Sequence, residues 1–205
     1  MLNKGDYICV FCASKVPEDP ELGHAAEDLG RLIAENGYNL VYGGGGRGLM
    51  GLVAKGAYQA GSHVLGVIPE ALSTEESSVS EDSFVGGKGS ISTIMVKDMH
   101  SRKRIMADKC SAFVSLPGGY GTFEELLEIT TWSILGIHNK PIVILNFNGF
   151  YDPLVKLFEN SVQSGFISDG NMKIASFCDS VGDVLASIDS YVAPETRFNL
   201  DWSTS

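Results

Sequence analysis

Asn39-Leu40-Val41-Tyr42-Gly43-Gly44-Gly45-Gly46-Arg47-Gly48-Leu49-Met50-Gly51 joins a short apolar run to a helical pattern through a turn made almost wholly of glycine. Residues 39–42, bounded by glycine, read as a buried strand, and residues 49–60 read as a helix stopped by Gly61. The same order of strand, turn and helix recurs on both sides. Upstream, 8–12 reads as a strand and 21–36 as a helix, with Leu22, Ala25, Ala26, Leu29, Leu32 and Ile33 at helical spacing and Gly37 as the stop. Downstream, strand 63–68 ends at Pro69, strand 92–96 precedes helix 98–109, and strand 112–116 precedes helix 122–136. Strand 141–145, helix 151–164 and a weaker strand–helix pair through Tyr191 complete the series.

Such alternation predicts an α/β chain, one Rossmann-like domain over 1–205 whose parallel sheet carries helices on both faces. Ligands of sheets of this kind bind at the carboxyl ends of the strands. Segment 72–90, rich in Ser, Glu and Gly, reads as an excursion from this pattern. The tail at 193–205 has no periodicity and suggests no role.

Composition agrees. The chain has 205 residues and 22.0 kDa, 44% of them hydrophobic and 20% charged, enough for one compact core. Its net charge of −10 argues against general nucleic-acid binding, which draws on cationic surface. No apolar run approaches the ~20 residues of a membrane helix, and 7–13 lacks a signal-cleavage pattern, so a cytoplasmic protein without membrane association is expected. Cys9, Cys12, Cys110 and Cys178 make no disulfide framework. Although Cys9 and Cys12 have C-x-x-C spacing, residues three apart on a strand point to opposite faces and cannot readily share a metal. No metal or cofactor is expected. Glycine, 24 of 205 residues, is the outlier.

The first glycine turn satisfies G-x-G-x-x-G from Gly43 and from Gly46. A nicotinamide fingerprint, however, prefers the first strand and an acidic residue ending the next, whereas this turn follows the second strand and Glu70 lies beyond Pro69. A second turn, Pro117-Gly118-Gly119-Tyr120-Gly121-Thr122-Phe123-Glu124-Glu125, also joins a strand to a helix. Two such turns at one sheet edge would cradle a phosphate monoester with backbone N–H groups. Glu125 has two readings: capping-box partner of Thr122, or a carboxylate desolvated on the face of Ile129 and Trp132 and suited to acid/base work.

Between the turns, Lys97-Asp98-Met99-His100-Ser101-Arg102-Lys103-Arg104 holds four of 15 cationic residues. At about 100° per residue from Met99, Met106 and Cys110 define a buried stripe, with Arg102 at about 60° to one side, Lys103 at about 40° to the other and Arg104 in solvent at about 140°. Arg102 and Lys103 can therefore reach an internal anion, or pack their stems and carry their heads to water. His100 is a further candidate.

These segments together resemble the LOG family, the cytokinin riboside 5′-monophosphate phosphoribohydrolases. P-G-G-x-G-T-x-x-E runs from Pro117 to Glu125, M-H-x-R-K from Met99 to Lys103, and a G-G-G-x-x-G-L-M-G type of turn covers 43–51 with one extra glycine. Val10-Phe11-Cys12-Ala13-Ser14 and Thr131-Trp132 through Gly136-Ile137-His138 extend the likeness over roughly 7–190. Ala13-Ser14-Lys15 stands where the family commonly has Gly-Ser-Ser, and segment 72–90 is longer than usual. The resemblance implies hydrolysis of the N-glycosidic bond of an N6-modified adenosine 5′-monophosphate by a homodimer, with Arg102 and Glu125 catalytic. It puts Ser14, Gly45, Lys103, Gly118, Gly119, Tyr120, Gly121, Thr122, Glu124 and Thr131 at nucleotide-contacting positions, together with Glu76 (or Glu75) from the variable segment. Apolar surface at Trp132, Ile134, Leu135 and Ile137 fits a dimer. Lysine decarboxylase, a label often given to such proteins, finds no sign of pyridoxal phosphate chemistry. The rival reading is a non-catalytic carrier of a nucleotide or molybdenum cofactor on the same fold, with a nicotinamide oxidoreductase third.

Overall fold

The computed structural model describes residues 2–73, 79–80, 83–84 and 86–202. Among these, seven strands, β1 (Tyr7–Phe11), β2 (Asn39–Tyr42), β3 (His63–Pro69), β4 (Ser90–Val96), β5 (Cys110–Ser115), β6 (Ile142–Leu145) and β7 (Ala175–Cys178), form one sheet in the order β4-β3-β2-β1-β5-β6-β7. Every neighbouring pair is parallel. From β1 the chain steps outward to β4, then returns to the other side of β1 at β5. The order reverses there, and a crevice opens between the two strand ends.

The helices are α1 (Pro20–Glu35), α2 (Gly48–Gln59), α3 (Met99–Lys109), α4 (Tyr120–Ile134), α5 (Asp152–Gln163) and α6 (Val184–Asp189). Side chains alternate along β1. Ile8, Val10 and Cys12 join the layer under α1, α2 and α6, whereas Cys9 and Phe11 join the layer with Met106 of α3 and Leu126 and Ile129 of α4. The expected two-faced parallel sheet is therefore present. Cys9 and Cys12 fall in different layers, and all four cysteines are free, buried thiols. Among the described residues no helix is long and apolar enough to cross a membrane.

Much of the glycine serves packing. A Cβ on Gly30 of α1 would lie 2.1 Å from the Val53 carbonyl oxygen of α2, and one on Gly56 2.0 Å from that of Glu27, so the two helices meet backbone to backbone. Most expected element ends hold to within one or two residues, with Asp19 capping α1 and Asp98 capping α3 through the backbone N–H groups of Glu21 and Ser101.

The tail, by contrast, has a role that its sequence did not suggest. The Phe198 N–H donates to Ile134 O at 2.8 Å, Trp202 Nε1 to Leu135 O at 3.0 Å and Arg197 Nη1 to His138 O at 2.8 Å. The first two satisfy carbonyls that the end of α4 leaves open, and the third one in the loop beyond it. They join backbone to residues some sixty positions away and leave no period to read.

Candidate active site

A cavity of about 380 Å³ opens at the crevice between β1 and β5. One wall is the end of β1 and the loop through Ser14 and Lys15; the other is the first turn of α4. Arg102, Gly43 and Met50 complete the lining.

Arg102 is 5% exposed, so of its two readings beside the stripe of α3 the inward one holds and its head does not reach water. Its Nε donates to Val67 O at 3.1 Å and its Nη2 to Gly43 O at 3.0 Å, which fixes the guanidinium plane. A guanidinium carries five N–H donors, so capacity remains on a side chain that lines the cavity. A Cβ at Gly43 would lie 2.0 Å from Nη2, so only glycine admits the arginine there. Arg104, two residues on, is exposed and pairs with Asp108 at 3.4 Å, as the helical phase requires.

The structure changes the reading of the second turn. α4 starts at Tyr120, two residues earlier than expected, with Gly119 as its N-cap and no side-chain cap. Thr122 thus sits inside the helix, its side chain beneath Gly118, where a Cβ would lie 2.1 Å from Thr122 Oγ1. The Thr122–Glu125 capping box does not form. Glu125 is instead a full turn inside α4, 7% exposed and on the lining of the same cavity as Arg102. The leading N–H groups of any α-helix have no partner within it and favour an anion. Here they border the cavity, and a Cβ on Gly119 or Gly121 would meet nothing within 4 Å.

Burial pushes the Cys12 thiol far up from its ordinary pKa, with the Glu125 carboxylate raising it further and Arg102 lowering it. Both charges are thus felt at one thiol on the cavity wall, and that thiol stays protonated rather than serving as a nucleophile.

The first turn does not complete a double cradle. A Cβ at Gly48, where φ is +60°, would lie 2.4 Å from Lys15 O, and one at Gly51 would lie 2.3 Å from Gly46 O. The Met50 N–H, near the start of α2, donates to Ala13 O at 3.2 Å. Protein backbone fills this turn, which contributes Gly43 alone of its glycines to the lining; Gly45 is buried away from it. The turn's effect is to hold Ser14 and Lys15 at the rim.

Lys103, Glu124, Gly118 and Thr131 also lie off the cavity lining. Lys103 is 5% exposed, paired with Glu124 and with Glu128 Oε2 at 2.8 Å. Burial works against its charge, but hydrogen bonds and attraction from Glu124 and Glu128 outweigh it and raise its pKa. Thr131 is exposed, with Oγ1 donating to Leu127 O at 2.8 Å. Glu75 and Glu76 lie outside the described residues. Of the lining, sequence reasoning missed the stretch from Val10 to Ala13, Lys15, Met50 and the role of Gly43; the one signal for the last was a glycine directly after a strand.

Residues 50–188 match the family described as "Possible lysine decarboxylase". The "Probable cytokinin riboside 5′-monophosphate phosphoribohydrolase LOG4" of Oryza sativa subsp. japonica is 48% identical over 181 residues, 88% of this chain and 75% of that protein. The "Cytokinin riboside 5′-monophosphate phosphoribohydrolase LOG2" of Arabidopsis thaliana is 41% identical over 191 residues, 93% of this chain and 86% of its own. Among solved structures, the molybdenum cofactor carrier protein of Chlamydomonas reinhardtii is similar at TM-score 0.62 and 23% identity, over 90% of this chain and 96% of its own. At that identity the likeness reports a shared fold.

Proposed function

The chain belongs to the LOG family of cytokinin riboside 5′-monophosphate phosphoribohydrolases, and on that premise we propose that it hydrolyses the N-glycosidic bond of an N6-modified adenosine 5′-monophosphate, releasing free base and ribose 5-phosphate. One observation carries the reading: Arg102 from α3 and Glu125 from α4, both buried, line a single cavity beside the uncapped start of α4.

Rupture of the C1′–N bond develops positive charge on the ribose, and a carboxylate at hand stabilises it. Glu125 also orients the attacking water and accepts its proton as oxygen bonds to C1′. The bonding pair leaves with the base, which takes up a proton, and Arg102 holds the nucleotide as the base departs. The 5′-phosphate sits on the first N–H groups of α4 at Gly119, Tyr120, Gly121 and Thr122, where the helix dipole favours an anion. Ser14 contributes from the facing wall. Among the other positions marked by resemblance, Gly45, Gly118, Lys103, Glu124 and Thr131 act through neighbours rather than through the cavity lining.

The carrier reading explains a nucleotide-sized cavity but not a buried arginine and glutamate meeting in it. Incubation with AMP and isopentenyl-AMP followed by chromatography separates the two: base and ribose 5-phosphate support the enzyme, and stoichiometric binding without products supports the carrier. The enzyme is a cytoplasmic homodimer on this account, the first because four unpaired thiols suit a reducing compartment. Light scattering tests the second, since a mass near 22 kDa with full activity contradicts it.

A further inference from the structure

Arg102 and Glu125 stand on different helices, so their separation depends on what fixes α3 against α4. The apolar anchors of α3, Met106 and Ala107, lie in its second half. Its first half, which carries Arg102, is held by polar contacts. Arg102 ties that turn to Val67 O and Gly43 O on the β2–β3 side. Lys103, the next residue and on the other side of the stripe, reaches the opposite way. Its ammonium pairs with Glu124, directly before Glu125, and with Glu128, at 2.8 Å and one turn further along α4.

We propose that Lys103 is a positioning residue, whose ammonium locks α3 to α4 through the carboxylates flanking Glu125 and so sets the spacing of Arg102 and Glu125. This role rests on the reaction assigned above. The geometry fits no direct contact with substrate, since Lys103 is 5% exposed and lies off the cavity lining. The clamp has an electrostatic side as well. Glu124, Glu125 and Glu128 put three carboxylates within five residues, and Lys103 is the cation paired with two of them. Without it, like charges favour the protonated form of Glu125.

Steady-state hydrolysis of AMP by wild type, Lys103→Met, Lys103→Arg and Glu128→Gln tests this, with ribose 5-phosphate as competitive inhibitor. A positioning role predicts that Lys103→Met lowers kcat ~10-fold or more while KM and the inhibitor's Ki stay within about twofold. The acidic limb of its pH–rate profile moves to higher pH, and Lys103→Arg recovers most of the rate. Glu128→Gln, which keeps the lysine paired with Glu124, shows a smaller loss confined to kcat, and serves if Lys103→Met does not fold. A tenfold rise in KM and Ki at unchanged kcat would make Lys103 a substrate contact and overturn the proposal. Unchanged kinetics in Lys103→Met, or an unchanged kcat in Glu128→Gln where Lys103→Met is insoluble, would also overturn it. A wild type that releases no base from any nucleoside 5′-monophosphate overturns the reaction and this role together, whereas an active wild type with unaffected variants overturns the role alone.

Discussion

The two glycine turns look alike in sequence and do opposite things. Each follows a strand of one parallel sheet and opens a helix at the same edge. In the first, glycine makes room for protein. Gly43 admits the Arg102 guanidinium, Gly48 the backbone of Ser14 and Lys15, and Gly51 the Gly46 carbonyl, while Ala13 O accepts from the Met50 N–H of α2. In the second, Gly119 and Gly121 face open space at the start of a helix that no side chain caps. Glycine density thus reports close approach, and only tertiary structure decides whether the approaching atoms belong to the chain or to a ligand.

The comparison breaks most readily at Glu125, which the second turn brings to the cavity. Glu125→Gln keeps the shape but removes the charge, so kcat for AMP is expected to fall ~10²-fold or more with little change in KM. Near-native turnover in a variant that melts normally would make the second turn a packing device like the first. Gly48→Ala probes the first turn. Its Cβ meets backbone at a positive φ, and a loss of about 3 kcal/mol in urea unfolding is expected. A cost below about 0.5 kcal/mol would show that the first turn is as open as the second. Gly119→Ala is the complement: with no atom within 4 Å of the new methyl, stability holds, while KM for AMP rises ~10-fold, about 1.4 kcal/mol, because the methyl occupies ligand space.

A pH-dependent effect concerns the far end of α4. Burial, with Lys140 and Arg197 nearby, lowers the His138 pKa to about 4 against the hydrogen bond from its Nε2 to Ile129 O. Above pH ~6.5 the ring is neutral folded or unfolded. As pH falls from there to about 4 the unfolded chain binds a proton that the fold resists, so stability declines by up to about 3 kcal/mol. Urea midpoints at pH 7 and pH 4.5 read this loss, and His138→Gln flattens it. An unaltered slope in that variant would assign the decline to other groups. Arg104→Ala, on the solvent face of α3, is expected to alter kcat and KM less than twofold, whereas Arg102→Ala damages both; equal damage would refute the helical phase.

Continuous apolar runs in the central strands and the 3.6 period in the helices made the fold legible, because a parallel sheet buried on both faces imposes them. Arg102 was legible for the same reason, being fixed by its angle from Met106 and Cys110. Three features were not. Thr122 and Glu125 have capping-box spacing, and only the start of α4 at Tyr120 shows that the box is not used. The inward face of Lys103 was legible, but its partners Glu124 and Glu128 lie on a helix whose packing the sequence does not encode locally. The hold of Arg197, Phe198 and Trp202 on α4 consists of hydrogen bonds to carbonyls, which every residue possesses.

Whether the open turn takes a phosphate is decided by kcat/KM for AMP against adenosine. Several backbone donors and a helix N-terminus supply a few kcal/mol, at about 1.4 kcal/mol per factor of ten, and that binding energy also positions the reacting sugar. With a phosphate seated there, the value for adenosine is expected to be lower by ~10²-fold or more, with free ribose 5-phosphate inhibiting competitively. Values for the two substrates within a few fold of one another would contradict it and make the chain a nucleosidase indifferent to phosphate.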